Sequence, residues 1–235
     1  MAIKLVTFDL DDTLWDSGRV LRAAEAEMRS WLAEHAPRMS EAIDTERMRE
    51  VRARVISEDP DVVHHVSELR RRVLEEAMRA SGYGPTEARD LSQQAFAVFL
   101  EARQNVELFE GALPMLEVLR ASYVLGALTN GNANIERIGL ERFFAFHFSS
   151  ESVGVGKPAP RIFEAALEWA GASPEETVHV GDHPEHDMLG AARVGMYTIW
   201  YNSRNFDPLD GVTPTRIAES LQEIPELIAS IAEGA

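Results

Sequence analysis

Apolar positions along this chain follow two different rhythms. Within residues 3–11, Leu5, Val6, Phe8 and Leu10 mix aliphatic, β-branched and aromatic side chains, the mark of a short buried strand. That run ends abruptly in acids, Asp9-Leu10-Asp11-Asp12-Thr13. From about 18 to 104 the period becomes helical. Val20, Leu21, Ala24, Met28, Trp31 and Leu32 predict a first helix closed by Pro37. Met48, Val51 and Val55 predict a second, ending near Asp59-Pro60. Val62, Val66, Leu69, Val73 and Ala77 predict a third, stopped by Gly82 and Gly84. Pro85-Thr86 opens a fourth that turns Leu91, Ala95, Phe96 and Phe99 inward. No strand is predicted in this stretch, so it forms an all-helical unit.

From 105 onward strands and helices alternate. Leu113, Leu116 and Leu119 lie on a helix begun near Gly111 and Pro114. The apolar run 124–128 is a buried strand ending at Thr129-Asn130-Gly131-Asn132, followed by a short helix with Ile135 and Ile138. Residues 146–150 predict another strand, and 160–170 a helix burying Ile162, Phe163, Ala166 and Leu167 before Gly171. Residues 177–180 predict a strand ending at Gly181-Asp182, 188–194 a helix stopped by Gly195, and 196–201 a strand. Ile217, Leu221, Leu227, Ile228 and Ile231 predict C-terminal helical packing. The alternation implies an α/β core, a doubly wound parallel sheet of Rossmann-like type, built from 1–16 and 105–235. The helical block 17–104 is inserted into it after the first strand. Ligands in such sheets sit beyond the carboxyl ends of the strands. The polar clusters Asp9/Asp11, Thr129/Asn130 and Asp182/Asp187 all follow predicted strands, and Lys157 precedes a helix.

Composition narrows the function. The chain has 235 residues, 45% of them hydrophobic, enough for a sizeable core in one or two domains. Its net charge of −16 offers no field for nucleic acid. Without cysteine there is no disulfide, no thiolate metal site and no cysteine nucleophile. No secretory leader is recognisable, and no apolar run approaches the roughly 18 residues of a membrane span. A cytoplasmic protein is expected, with no membrane and no nucleic-acid partner; its oligomeric state is undetermined.

The clusters together make an inventory for phosphoryl transfer. Like charges crowded at a strand end are tolerated when a cation binds between them. Strand alternation would put Asp9 and Asp11 on one side. One carboxylate can then attack phosphorus, and the second can protonate the leaving group and activate water. Capping and solvation are the bland alternatives for this pair, and Asp12-Thr13 fits a turn-shaping role better than a reactive one. Asp9 and Asp182, with the backbone carbonyl of Asp11, suit Mg²⁺. Asp187 fits either helix capping or support of metal-bound water or the phosphate-binding lysine. Thr129 offers a hydroxyl, and the Asn130 and Gly131 amides can point at an anion, although the same tripeptide is also an ordinary turn. Lys157 adds a charge, directed by Pro158 away from helical backbone.

Four motifs in order, Asp9-Leu-Asp11-Asp12-Thr13, Thr129-Asn-Gly131, Lys157-Pro158 and Gly181-Asp182-x-x-x-x-Asp187, resemble the haloacid dehalogenase superfamily over about 3–16 and 105–205. The resemblance implies that Asp9 is the nucleophile and a Mg²⁺ ligand. It implies that Asp11 is the general acid/base and a backbone metal ligand. Thr129 and Lys157 would bind the phosphoryl group, Asp182 would bind Mg²⁺, and Asp187 would support the acidic end of the site. The helical block matches the family's cap inserted after the first motif, expected to exclude water and recognise substrate. The family's dehalogenases resemble Asp-x-x-Gly-Thr and lack an acid at the second position, since a leaving halide needs no proton. Asp11 therefore favours a Mg²⁺-dependent phosphomonoester hydrolase acting on a small-molecule phosphate ester. The stretch Leu128-Thr-Asn-Gly-Asn132-Ala133 resembles the family's phosphatases that act on flavin mononucleotide, a ribitylaminopyrimidine phosphate or a nucleotide, and that resemblance implies such substrates. Sugar-phosphate mutase, 2-haloacid dehalogenase and a non-catalytic phospho-ligand-binding relative are the alternatives.

Other conspicuous residues carry less. Adjacent residues on a helix point about 100° apart, so His64 and His65 make no bidentate metal face. His179, His183 and His186 suggest metal ligands at first sight, but His183 and His186 flank the fourth motif, where they fit contact with substrate or the cap and not catalysis. Arg70-Arg71-Arg72 fits a solvated helix face, or a hold on an anionic substrate if the cap turns it inward. Trp15, just after the first motif, suits either core packing or the entrance to the site.

Overall fold

The computed structural model describes residues 2–234. It comprises two compact units, one made of the chain up to Ser17 and from Val106 onward, the other of Gly18–Asn105. The first carries a six-stranded sheet: β1 (Leu5–Phe8), β2 (Val124–Thr129), β3 (Phe146–Ser149), β4 (Thr177–Gly181), β5 (Tyr197–Tyr201) and β6 (Arg216–Ala218). The spatial order is β3-β2-β1-β4-β5-β6, and every neighbouring pair is parallel. β1 lies in the middle and is buried along its whole length, which is why it reads as continuous apolar sequence rather than as alternation. Helices Pro160–Ala170 and Gly190–Arg193 contribute Ile162, Phe163, Ala166 and Ala191 to a core with Leu5, Leu128 and Phe146. No helix among the described residues is long and apolar enough to cross a membrane.

Several elements differ from the sequence pattern. β1 stops at Phe8 instead of running to 11. The Asp9 amide still donates to Val180 O at 2.9 Å. The chain then turns, with Asp12 at φ 61°, a left-handed conformation that only a turn requires of an Asp. Asp9 and Asp11 thus lie on a loop, and strand alternation does not set their relation. Pro37 opens a short helix, Pro37–Ala42, as well as following one, because a first-turn proline has no hydrogen bond to lose. The third predicted helix is a 3₁₀ turn, Pro60–His64, followed by the helix Val66–Ala80. Between β4 and β5 the chain first winds in wide π-type turns, Pro184–Leu189, before the helix Gly190–Arg193. Ile217, expected in helical packing, lies on β6 and is 58% exposed; the C-terminal helix is Ile224–Gly234.

The second unit is helical: the rest of Ser17–His35, then Pro37–Ala42, Thr45–Glu58, Val66–Ala80 and Pro85–Ala102. Its core joins Ala24, Met28 and Leu32 to Leu74, Met78, Phe96 and Phe99. A second cluster unites Val51, Val55, Val62, Leu69 and Val73. Leu21 stays at the surface, 36% exposed. The three consecutive arginines each find a carboxylate: Arg70 pairs with Glu25 and lies over the Phe99 ring, Arg71 pairs with Glu68, and Arg72 with Asp59 at 2.6 Å.

In the sheet, Gly126 on β2 faces Phe146 on β3, and a Cβ there would stand 2.2 Å from the ring's Cζ. Gly126→Ala therefore forces the ring or strand to shift. Urea unfolding should show a loss of about 1–3 kcal/mol, the usual cost of overpacking.

Candidate active site

The site lies at the carboxyl ends of the three central strands. Asp9 follows β1, Thr129 closes β2, and Asp182 follows β4. Asp9, Asp11, Thr129, Asn130, Lys157, Asp182 and Asp187 all line one cavity of about 210 Å³. Its centre is a buried cation. Lys157 Nζ donates to Asp9 Oδ1 at 2.5 Å and to Asp187 Oδ1 at 2.6 Å, and its side chain is 2% exposed. A lysine is seldom buried so deeply unless charges of opposite sign hold it there. Burial works against its charge, yet Asp187 and Asp9 outweigh burial and hold its pKa above the usual lysine range.

Each partner is itself fixed. The Asn130 side chain grips the Lys157 backbone in both directions: Nδ2 donates to Lys157 O at 2.8 Å, and Oδ1 accepts from Lys157 N at 2.7 Å. An anion-binding role for Asn130 thus falls to its backbone amide. The Gly131 amide, expected to face an anion, donates to Thr129 Oγ1 at 2.9 Å. This uses an acceptor position of the hydroxyl and leaves Thr129 its proton to donate. Asp187 accepts from Lys157 and from the His183 amide at 2.9 Å, and lies 3.1 Å from His179 Nε2. It therefore caps its turn and holds the lysine at once. Burial would raise its pKa, but Lys157 and His179 keep it well below the usual carboxylate range. Its seat requires Gly181, where a Cβ would stand 2.3 Å from Asp187 Cγ.

Asp9 and Asp182 are not compensated in this way. Burial first, then the Asp187 and Asp11 charges, push Asp9 up to about 7 despite Lys157. Burial and the charges of Asp9, Asp187 and Asp12 push Asp182 up to about 8. Asp9, Asp182 and Asp187 present carboxylate oxygens within 4.8 Å of one another. These are hard donors suited to a hard divalent cation. Asp187 already serves Lys157, His179 and the His183 amide, so Asp9 and Asp182 are the freer ligands.

The loop carrying Asp11 is held from several sides. Trp15 is wholly buried, so its ring is core, and its Nε1 donates to Asp11 Oδ1 at 2.9 Å. Asp12 accepts from Ser17 N at 3.0 Å, Ser17 Oγ at 2.7 Å and Arg204 at 2.7 Å, and its carbonyl accepts from Ser203 Oγ. These bonds hold Asp12 in its left-handed conformation. Trp200 Nε1 donates to Asp182 O at 2.6 Å and fixes the fourth motif. Sequence reasoning noted His179 without placing it in the site, and missed Trp200, Ser203 and Arg204. A polar residue in the buried run Thr177–Val180 was the one signal for His179; residues 202–205 follow no period.

The shifted carboxyls have a thermodynamic consequence. Asp9 and Asp182 leave the ordinary value of 3.8 in the unfolded chain for about 7 and 8 in the fold. Between those limits the native state binds more protons, so stability falls as pH rises. Asp187 and Lys157 keep their charges across this window and add no slope. His147, His179, His183 and His186, whose pKa values burial lowers from 6.5, oppose the slope below that value and no longer do so once they are neutral in both states. Melting of the metal-free protein should therefore shift to lower temperature between about pH 7 and 9, and millimolar Mg²⁺ should restore it most at the alkaline end. A metal-free melting temperature that climbs over that range would contradict the assignment.

Residues 3–195 match the family model of haloacid dehalogenase-like hydrolases. The chain is 31% identical to the 5-amino-6-(5-phospho-D-ribitylamino)uracil phosphatase YigB of Escherichia coli over 87% of its length and 86% of the relative's. It is 33% identical to a glyceraldehyde 3-phosphate phosphatase of Methanopyrus kandleri, over 84% and 83%. A crystal structure described as a 2-haloacid dehalogenase from Pseudomonas syringae superposes with TM-score 0.94 at 44% identity, over 97% of this chain and 99% of that one. The family model covers most of the chain, and these relatives agree with it: the chain belongs to the haloacid dehalogenase-like hydrolases.

Proposed function

We propose that this protein hydrolyses phosphomonoesters of small metabolites through an aspartyl-phosphate on Asp9. The observation that carries this is Asp11, which lines the cavity with Asp9 and is oriented by the Trp15 indole. A second acid beside the nucleophile can protonate a departing alkoxide, a step that loss of a halide does not require.

Lys157 occupies Oδ1 of Asp9, which leaves Oδ2 to attack phosphorus. Attack forms the Asp9 oxygen–phosphorus bond as the ester oxygen–phosphorus bond breaks. Asp11, in its acid form, gives its proton to the departing alkoxide. As a carboxylate it then takes a proton from water, whose oxygen attacks phosphorus and releases Asp9 and inorganic phosphate. Lys157 and the Thr129 hydroxyl bind the phosphoryl oxygens. Asp9, Asp182 and the Asp11 carbonyl would hold Mg²⁺, which when bound supplies positive charge against the phosphoryl group. The helical unit serves as the cap in which substrate choice resides. Flavin mononucleotide, a ribitylaminopyrimidine phosphate and nucleotides are the first substrates to try; the second is the kind that the YigB relative is named for.

The 44% identical structure described as a 2-haloacid dehalogenase favours a second function, halide displacement by Asp9. A halide departs without a proton, so that chemistry has no use for Asp11 as an acid. Incubation with 2-chloropropionate should release no chloride.

Asp9→Asn should abolish phosphate release from p-nitrophenyl phosphate. Asp11→Asn should lower kcat by about 10²–10⁴, the range for a lost general acid/base. Colorimetric phosphate assays with Mg²⁺ read both. Isomerised sugar phosphate without free phosphate would replace the hydrolase with a mutase, and wild-type turnover no higher than Asp9→Asn would leave a non-catalytic relative.

A further inference from the structure

The cavity that holds the site is lined by five carboxylates and two permanent cations, Lys157 and Arg204. Lys157 is spent on Asp9 and Asp187 and is buried. Arg204 differs, because its side chain is 52% exposed. It donates from Nη1 to Asp12 Oδ2 at 2.7 Å, and its Cζ lies 5.6 Å from the centroid of the Phe206 ring. No other hydrogen bond of the guanidinium is found among the described residues, so most of its five N–H donors are uncommitted.

Arg204 is not needed to shape its own loop. Asn202 and Phe206 bond each other in both directions, at 2.9 and 2.8 Å, and Ser203 Oγ already ties the loop to the Asp12 carbonyl. What the guanidinium adds is charge and a planar fork at the solvent side of an acidic cavity. A phosphorylated substrate bearing a further anion would be repelled by those carboxylates unless a cation met it. An arginine held on one edge by Asp12 offers its remaining edge to a carboxylate in the paired geometry that guanidinium favours.

We propose that Arg204 is a specificity residue that receives a carboxylate carried by the phosphorylated substrate. The inference rests on the phosphomonoester hydrolase function above and adds phosphorylated carboxylic acids to the substrates to try, ahead of the esters without a carboxylate.

Phosphoglycolate and ethyl phosphate differ by a carboxylate in place of a methyl group and make the test. The wild-type enzyme with Mg²⁺ should prefer phosphoglycolate in kcat/KM. Arg204→Gln should cut that preference by about tenfold, mainly through KM for phosphoglycolate, the scale of one lost charge-assisted pair. Arg204→Lys should retain part of it, since charge survives without the fork. Thermal melting checks that both variants are folded. A preference ratio that Arg204→Gln leaves unchanged, with both substrates lowered together, would make Arg204 an anchor for Asp12 and overturn the proposal. Wild-type enzyme that hydrolyses ethyl phosphate but not phosphoglycolate would overturn it while leaving the hydrolase intact. Failure on p-nitrophenyl phosphate as well would remove the hydrolase function and this inference with it.

Discussion

One buried ammonium group organises this site. Lys157 lies between two buried carboxylates, and a single positive charge cannot satisfy both equally. Asp187 has further help from His179 and the His183 amide and keeps its charge. Asp9 has less help, and its pKa rises toward neutrality with that of Asp182. The outcome is an asymmetric acidic cluster. One member is locked as a structural anion, and two are left under-compensated in a way that a divalent cation relieves. Removing the lysine would leave the locked anion without its cation, which is why the surroundings hold that lysine by backbone and side chain together.

The sheet makes this charge balance possible. Placing β1 between β2 and β4 brings the ends of three strands side by side. The polar segments that follow them then share one cavity without any long excursion of chain. Thr7 on β1 and His179 on β4 face each other in register, with Oγ1 and Nδ1 2.8 Å apart. The other ring nitrogen of His179 reaches Asp187. A polar line thus runs from inside the sheet to the site, in a region where an unpartnered polar group would be costly. The Phe163 ring meets His179 edge-on and closes the apolar side of that line.

The turn after β1 performs a different task. Asp11 lines the same cavity as Asp9, and the left-handed Asp12 reverses the chain beside it. Such backbone persists in a non-glycine residue only when its surroundings over-determine it. Here Ser17, Ser203 and Arg204 all converge on Asp12, and the Trp15 indole holds Asp11 from the core. Asp9 and Asp11 are therefore positioned by separate networks, one centred on Lys157 and one on Asp12.

By itself the sequence determined whatever depends on local order. Its periodicities marked five of the six strands, the all-helical stretch and the strand ends that carry Asp9, Thr129 and Asp182, because burial on a strand or helix imposes a pattern on neighbouring residues. The four spaced motifs carried the family. Tertiary structure alone decided the contacts that make the cluster a site. Lys157 and Asp9 are 148 positions apart, and Thr7 and His179 are 172 apart. The Asn130 clamp, the diversion of the Gly131 amide, the Trp15 bond to Asp11 and the place of Arg204 belong to the same class. So does β6, whose exposed Ile217 gave no strand period. Such contacts depend on which elements the sheet makes neighbours, and local periodicity records only which face of an element is buried, never what lies against it.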